Sequence, residues 1–304
     1  LIRRSSEFAA TPFRTLAKPL LHPTVYWNSY PAPSSWNHQL AGPSAISEFA
    51  WQFVDTRAVG KILKWIDWDV TSTEGTQLPY AIPEHELDYE VVEPGIRVGF
   101  WRSVGNSHNA FTVESVLDEA ANLAGRDPLE YRLALLNDQP RHRTVLERAA
   151  KEAVWGAELP EGHARGIALH ESFKSIVAQV VEVSVDAGVV RVHKVHCAID
   201  CGRYVNPNII RQQLEGAVVF GLSAALYEQI TLKDGAVANS NFHDYRVARL
   251  SESPEVFVSI IENDEAPGGV GEPGVPPIAP ALCNAIYAAT GKRIRRLPVA
   301  NQLI

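Results

Sequence analysis

Methionine is absent from all 304 residues, and cysteine is scarce, with Cys197, Cys201 and Cys283 the whole complement. Three thiols cannot build the dense, even-numbered disulfide framework of a small secreted domain, so cysteine leaves the compartment open. The missing Met and the Leu-Ile-Arg-Arg start read as a fragment or a processed chain with no cleavable apolar leader of its own. Long hydrophobic runs are lacking too. The longest mostly apolar stretch, Gly216 to Tyr227, is about 12 residues where a spanning helix needs about 20, so no transmembrane segment is expected. Blocks of Lys and Arg are missing as well. A net charge of -7 and a pI near 5.8 leave no basic face to neutralise phosphates, which speaks against nucleic acid as a partner. No GxSxG and no GxGxxG stands at a strand-to-helix turn, so the hydrolase and dinucleotide-fold readings have no motif. His193 and His196 lie near two cysteines, but they point to opposite faces of a strand and no CxxC exists, so no metal site is expected.

What the chain does contain is an ordinary globular composition, 46% hydrophobic and 21% charged, at a length that suggests about two domains. Prolines 12, 19, 23, 31, 33 and 43 come too often for helices, while Tyr26, Trp27, Tyr30 and Trp36 need burial. Residues 1–70 are therefore expected to be irregular and to pack on a partner, with one helix across Glu48 to Ile66. Leu78 to Pro83 reads as a strand start. From His108 to Ala124, apolar residues recur at helical spacing and Gly125 closes the helix. Asp127 and Pro128 supply an N-cap and a first-turn proline for a second helix to about Leu136. Val177 to Val185 and Val189 to Ile199, joined by Asp186, Ala187 and Gly188, predict a hairpin. Asn206-Pro207 opens an apolar helix to about Tyr227, expected to be packed on both sides. Phe257 to Ile261 predicts a strand, and Pro276 or Pro277 starts a last helix through Ala289. No internal repeat appears. The order predicts an α+β fold with mixed and antiparallel sheets and packed helices. Its parts are 1–70, a strand-helix part 71–160, and a C-terminal part 161–304.

Two segments carry candidate chemistry. Pro267 to Pro277 sets one carboxylate, Glu272, among four glycines and four prolines just before a helix. Glycine lets backbone approach a ligand and proline stiffens the loop, so Glu272 is presented in one place. Such a carboxylate suits a general base, and the same composition also suits a rigid surface turn. Phe100 to Gly105 places Arg102 between aromatic Trp101 and a helix start, offering charge and backbone donors or simply an Arg stacked on Trp101.

Four longer stretches together resemble a known family: GFWRSVGNSHNAFTVESVLDEAA, VHCAIDCGRYVNPNIIRQQLEGAVVFGLSAALYEQ, NFHDY and GGVGEPGVPPIAPALCNAIYAATGKRIRRLP. From about Ser72 onward the chain is similar to the C-terminal part of the molybdopterin-binding large subunit of the xanthine dehydrogenase family. Within it, the chain is most similar to the isoquinoline 1-oxidoreductase beta subunit and membrane-associated aldehyde dehydrogenase branch. The resemblance implies the molybdenum-hydroxylase large-subunit fold, and an oxidoreductase that hydroxylates an aldehyde or N-heteroaromatic carbon with water-derived oxygen. It makes Glu272 the catalytic base of a VGEP motif, with Gly269, Val270 and Gly271 beside the cofactor. It puts Trp101, Arg102 and Ser103 on the family's FRG or YRG loop, with Trp in place of Phe or Tyr and Ser in place of Gly. Ser175, within Ser172 to Gln179, falls on a loop near the pterin. The implied cofactor is molybdopterin, in a dinucleotide form, with iron-sulfur clusters on a partner subunit. The family's glycine-rich GGxFG and GQG loops have no counterpart here, so the remainder of the large subunit is an implied partner. The iron-sulfur small subunit and a cytochrome c electron acceptor are implied partners too. A bacterial periplasmic or membrane-associated location follows from the same resemblance, with a cytoplasmic one as the alternative. The rival from another class is a noncatalytic interface or scaffold chain in which Glu272 only stiffens a turn.

Overall fold

The computed structural model describes residues 24–26, 33–46, 69–92 and 95–303, those at 24–26 by backbone alone. The helix expected across Glu48 to Ile66 lies outside the described residues. Three strands open the chain: β1 (Thr24–Tyr26), β2 (Ser35–Gly42) and β3 (Glu84–Val91). They form a small mixed sheet in which β1 pairs antiparallel and β3 parallel to β2. Helices α1 (Asn106–Leu123), α2 (Pro128–Leu135) and α3 (Pro140–Glu152) follow. Then come β4 (His163–Ser172), β5 (Ser175–Asp186) and β6 (Val189–Asp200), and the helix α4 (Pro207–Leu226). A two-stranded ribbon of β7 (Leu232–Lys233) and β8 (Ala236–Val237), strand β9 (Glu255–Ile260) and helix α5 (Ile278–Thr290) complete the described order.

The main sheet has the order β4-β5-β6-β9, antiparallel through β6 and parallel between β6 and β9. Strand β5 is central and buried along its first nine residues, which is why it reads as a nearly continuous run of Val, Ile and Ala rather than an alternating one. Its two faces serve two cores. Val177 and Val181 pack with Leu214 and Val218 of α4 and Leu282 of α5. Ile176, Ala178 and Val180 pack with Leu117 of α1 and Val145 and Leu146 of α3. Helices from before residue 160 therefore rest on strands from after it.

Local signals account for several elements. Asp127 accepts from the backbone N–H of Leu129 and Glu130, and Asn206 from that of Asn208 and Ile209, so both helices start where a capping side chain precedes a proline. The β5–β6 turn needs left-handed backbone at Ala187 and Gly188, with φ of 46° and 81°.

Other elements depart from expectation. Strand β2 lies inside the segment expected to be irregular, because Trp36, His38 and Leu40 alternate inward between the prolines. Trp36 is buried against Tyr80 and Val113 of this same chain rather than on a partner. The strand expected from Leu78 starts only at Glu84, just past Pro83. Helix α3 was hidden by its Arg-rich polar face; its stripe is His142, Val145, Leu146 and Ala149. Strand β4 has little β-propensity, and Gly166 explains its place: any side chain there would collide with the backbone of Ala281 and Ala285, so the glycine brings α5 against the sheet. Among the described residues helix α4 is packed on one side only. Gly221 fits against Ile278, whereas Gly216 meets nothing within 4 Å.

A buried knot locks these layers. Glu114 of α1 and Arg132 of α2 pair at 2.9 Å with neither side chain exposed. Tyr80 donates to Glu114 at 2.6 Å, the backbone N–H of Leu169 at 3.1 Å, and Asn284 of α5 bonds the carbonyls of Glu114 and Ile167. Every charged atom has a partner, as a buried ion pair requires.

Candidate active site

The Pro267 to Pro277 loop crosses from β9 to α5 beneath the start of α1. It is pinned from below by close packing. A Cβ on Gly268 would strike Ser175 Oγ and the Lys174 carbonyl, and one on Gly269 would press on Phe173 at 3.0 Å. The Gly269 N–H donates to the Phe173 carbonyl at 2.8 Å, and Ser175 Oγ donates to the Gly269 carbonyl at 2.6 Å. Gln179, buried in β5, donates to the Gly274 carbonyl at 2.8 Å. The β4–β5 turn that receives the loop has Phe173 and Lys174 in the left-handed region, at φ 54° and 64°.

The structure brings Arg102 and Ser103 to this loop across 169 positions of sequence. Arg102 Nε donates to the Gly271 carbonyl at 2.9 Å, its Nη2 bonds the same oxygen, and Nη2 also reaches Gln213 Oε1 at 3.2 Å. The Ser103 backbone N–H donates to Glu272 Oε1 at 3.0 Å, and its hydroxyl donates to the Glu272 carbonyl at 2.9 Å. Ser103 achieves this with φ at 80°, a conformation that glycine adopts freely and other residues adopt at a cost of about 1–2 kcal/mol. The serine hydroxyl offsets part of that cost by a bond that glycine cannot make. Among the described residues nothing else hydrogen-bonds the Glu272 carboxylate. Burial draws the Arg102 guanidinium down from its ordinary value and the charge of Glu272 works against that.

Trp101 is 42% exposed and packs on Phe220 of α4 with ring centroids 4.8 Å apart. The Arg102 guanidinium lies 5.6 Å over the Phe220 ring. Ser175 is fully buried with its hydroxyl donated to Gly269, so in this geometry it holds the loop rather than facing the opening. Gly271 is exposed and Val270 half-buried, and among the described residues no group accepts from their backbone N–H. His193 bonds Ser184 and stacks on His163, while His196 stacks on Phe257.

Sequence reasoning missed Gln213 and Phe220, and it placed Gln179 near the pterin without its bond to the Gly274 carbonyl. The first two sit on one face of a helix that read as uniformly apolar. The site offers the N–H groups of Val270 and Gly271, an open position at Gly271 where an added Cβ meets nothing within 4 Å, and a neighbouring guanidinium. That donor chemistry fits a polar, phosphate-bearing pterin.

Solved structures with this architecture include molybdenum-hydroxylase large subunits. Quinoline 2-oxidoreductase from Pseudomonas putida 86 matches 89% of this chain and 59% of its own at a TM-score of 0.66 and 10% identity. Aldehyde oxidoreductase from Desulfovibrio gigas matches 88% and 46% at 0.64 and 16% identity. The sequence model of the molybdopterin cofactor-binding domain matches residues 142–254. The beta subunit of isoquinoline 1-oxidoreductase from Brevundimonas diminuta is 34% identical over 74% of this chain and 29% of its own length. Membrane-bound aldehyde dehydrogenase from Gluconacetobacter polyoxogenes is 32% identical over 70% and 30%. A nicotinate dehydrogenase polypeptide from Pseudomonas putida is 33% identical over 74% and 21%. The chain belongs to the molybdopterin-binding large subunits of the xanthine dehydrogenase family and corresponds to their C-terminal part. It spans under a third of the length of these curated relatives.

Proposed function

We propose that this chain is the C-terminal part of an enzyme that hydroxylates an aldehyde or N-heteroaromatic carbon, with Glu272 as its general base. The geometry of Glu272 carries the reading. Its Oε1 is held by the Ser103 N–H and its carbonyl by the Ser103 hydroxyl, its loop is clamped by Arg102 at Gly271 and by Ser175 at Gly269, and its other oxygen keeps no partner among the described residues. Molybdopterin, when bound, supplies the redox chemistry. The chain's own groups bind, orient and move a proton. Val270 and Gly271 N–H and the Arg102 guanidinium would hold the anionic group, Trp101 and Phe220 would wall the approach, and Glu272 accepts a proton at Oε2. The fixed Oε1 keeps that oxygen aimed, which is what makes a positioned base effective.

The partners belong to the same proposal: the remainder of the large subunit, an iron-sulfur small subunit, and a cytochrome c as acceptor. A dinucleotide form of the cofactor and a periplasmic or membrane-associated setting go with it. The membrane-bound relative supports that setting, while no helix among the described residues is long and apolar enough to cross a membrane. Phe242 and Leu250, 81% and 91% exposed, are large apolar side chains that a partner would cover. That same exposure is what favours the scaffold reading. Glu272→Gln in the assembled enzyme separates the two: it is nearly isosteric yet accepts no proton, so molybdenum content and fold are kept while most turnover is lost. Turnover within about threefold of wild type would sink the base assignment.

A further inference from the structure

The turn that presents the Ser103 N–H to Glu272 is closed at its far end by Asn106, whose N–H donates to the Ser103 carbonyl at 3.1 Å. Asparagine often caps a helix start, yet Asn106 stands one position inside α1, and among the described residues no side chain caps that end. Its amide is used on tertiary contacts instead. Nδ2 donates to Glu74 Oε2 at 3.1 Å, and Oδ1 lies 2.9 Å from His170 Nε2 of β4. A carboxylate only accepts, so the amide faces it with Nδ2, and Oδ1 is left to take the proton of His170 Nε2. The histidine suits that role: burial holds it down to about 4, so it is neutral at ordinary pH and donates from one nitrogen. Both side chains are buried. The space beside them is closed, since a Cβ on Gly75 would sit 2.9 Å from Asn106 Oδ1 and from His170 Cε1. The turn is tied down next to it, with the Gly105 N–H on the Thr71 carbonyl at 3.0 Å and Asn109 on the carbonyls of Ser72 and Glu74 at 2.9 and 2.8 Å.

We propose that Asn106 is a positioning residue for Glu272, fixed by His170 and acting through the Ser103 turn. The inference rests on the reading of Glu272 as the base. The connection runs through hydrogen bonds and one short turn: His170 Nε2 to Asn106 Oδ1, the Asn106 N–H to the Ser103 carbonyl, and the N–H of that same Ser103 to Glu272 Oε1. Ser103 and Val104 both hold left-handed backbone, at φ 80° and 52°, which residues other than glycine keep only where their surroundings enforce it. Without the amide anchor the turn relaxes, and the N–H that aims Glu272 moves off Oε1. His170 thus serves Glu272 from β4 through two intervening residues.

The test is Asn106→Ser in the assembled enzyme, a side chain too short for either amide bond. It is expected to lose roughly 10- to 100-fold in kcat per bound molybdenum, with KM within about twofold of wild type. The second readout needs no turnover: the rate of carbodiimide and glycine ethyl ester labelling, followed by peptide mass spectrometry, should rise by roughly threefold to tenfold at Glu272 as Oε1 is released, with the buried Glu114 still protected. His170→Leu should move both readouts the same way, and His170→Gln, which keeps a donor where Nε2 stands, should restore both. Where Glu272→Gln is inactive, a kcat or a labelling rate that stays in place overturns the role of Asn106. Labelling that rises at Glu114 as much as at Glu272 is general loosening and overturns it as well, as does a His170→Gln enzyme as impaired as His170→Leu. Where Glu272→Gln keeps its turnover, the base reading has failed and the labelling decides alone, a faster rate confined to Glu272 supporting the hold and an unchanged one overturning it. If Asn106→Ser does not assemble, the two His170 variants decide by the same readouts.

Discussion

Glu114 and Glu272 are both carboxylates met by donors from far along the chain, and they end in opposite conditions. Glu114 has Arg132 and Leu169 N–H on one oxygen and Tyr80 on the other, with no exposed surface. Glu272 has one oxygen on the Ser103 N–H and the other without a partner among the described residues. The first arrangement spends both carboxylate oxygens on holding α1 to α2, β4 and Tyr80. The second fixes the group's direction and keeps one oxygen for chemistry. What distinguishes a structural carboxylate from a reactive one here is how much of its hydrogen-bonding capacity the fold consumes, since both are reached across long stretches of sequence.

The largest expected effect tests the reactive side of that contrast. Glu272→Gln should cost on the order of 100- to 10,000-fold in turnover with little change in denaturation midpoint. Next, on the structural side, Arg132→Met leaves the Glu114 charge buried and uncompensated, so unfolding should be easier by about 3–5 kcal/mol. Denaturant titration checks it. A loss of turnover larger than the loss of folded enzyme would mean that the knot also serves the site, and the contrast would fail.

A third carboxylate lies between the two. Asp200 is buried but paired with the partly exposed Arg141 through two bonds of 2.8 and 2.9 Å, and it accepts from the Gly202 N–H at 3.0 Å. Burial works to raise its carboxyl, and the bonds from Arg141, Asn263 and the Gly202 N–H outweigh it and hold it below the ordinary value. A depressed folded-state value means that this stability is present above the unfolded value of roughly 3.9 and is lost as pH falls through the folded one. Asp200→Asn should therefore be less stable than wild type at pH 7, with a gap that narrows below about pH 4. A gap independent of pH would assign the effect to packing.

The smallest effect concerns how the reactive carboxylate is held. Ser103→Ala keeps the N–H bond to Glu272 and loses the hydroxyl bond, for about 1 kcal/mol. Ser103→Gly loses the same bond but relieves the left-handed backbone, so it should lie closer to wild type. Equal losses for the two would show that the φ of 80° at Ser103 carries no strain.

Local chemistry was legible in the sequence wherever a signal and its consequence are neighbours. Asp127 and Asn206 cap the helices that follow them, Gly188 turns the hairpin, and the Gly and Pro residues around Glu272 mark a stiff loop, all within a few residues of where they act. The long motifs from Phe100 to Ala121 and from Gly268 onward carry the family by the same kind of locality. Strand β4 could not be read this way, because its glycine makes sense only with α5 lying on it. Nor could α3, whose buried stripe is narrow beside its charged face, or β2, whose alternation was masked by surrounding prolines. The pairing of Ser103 with Glu272 was decided by tertiary structure alone. Sequence signals fix the residue types and the turns, but which carboxylate keeps a free oxygen depends on contacts closed by the packing of α1, β5 and α5, and no local spacing encodes them.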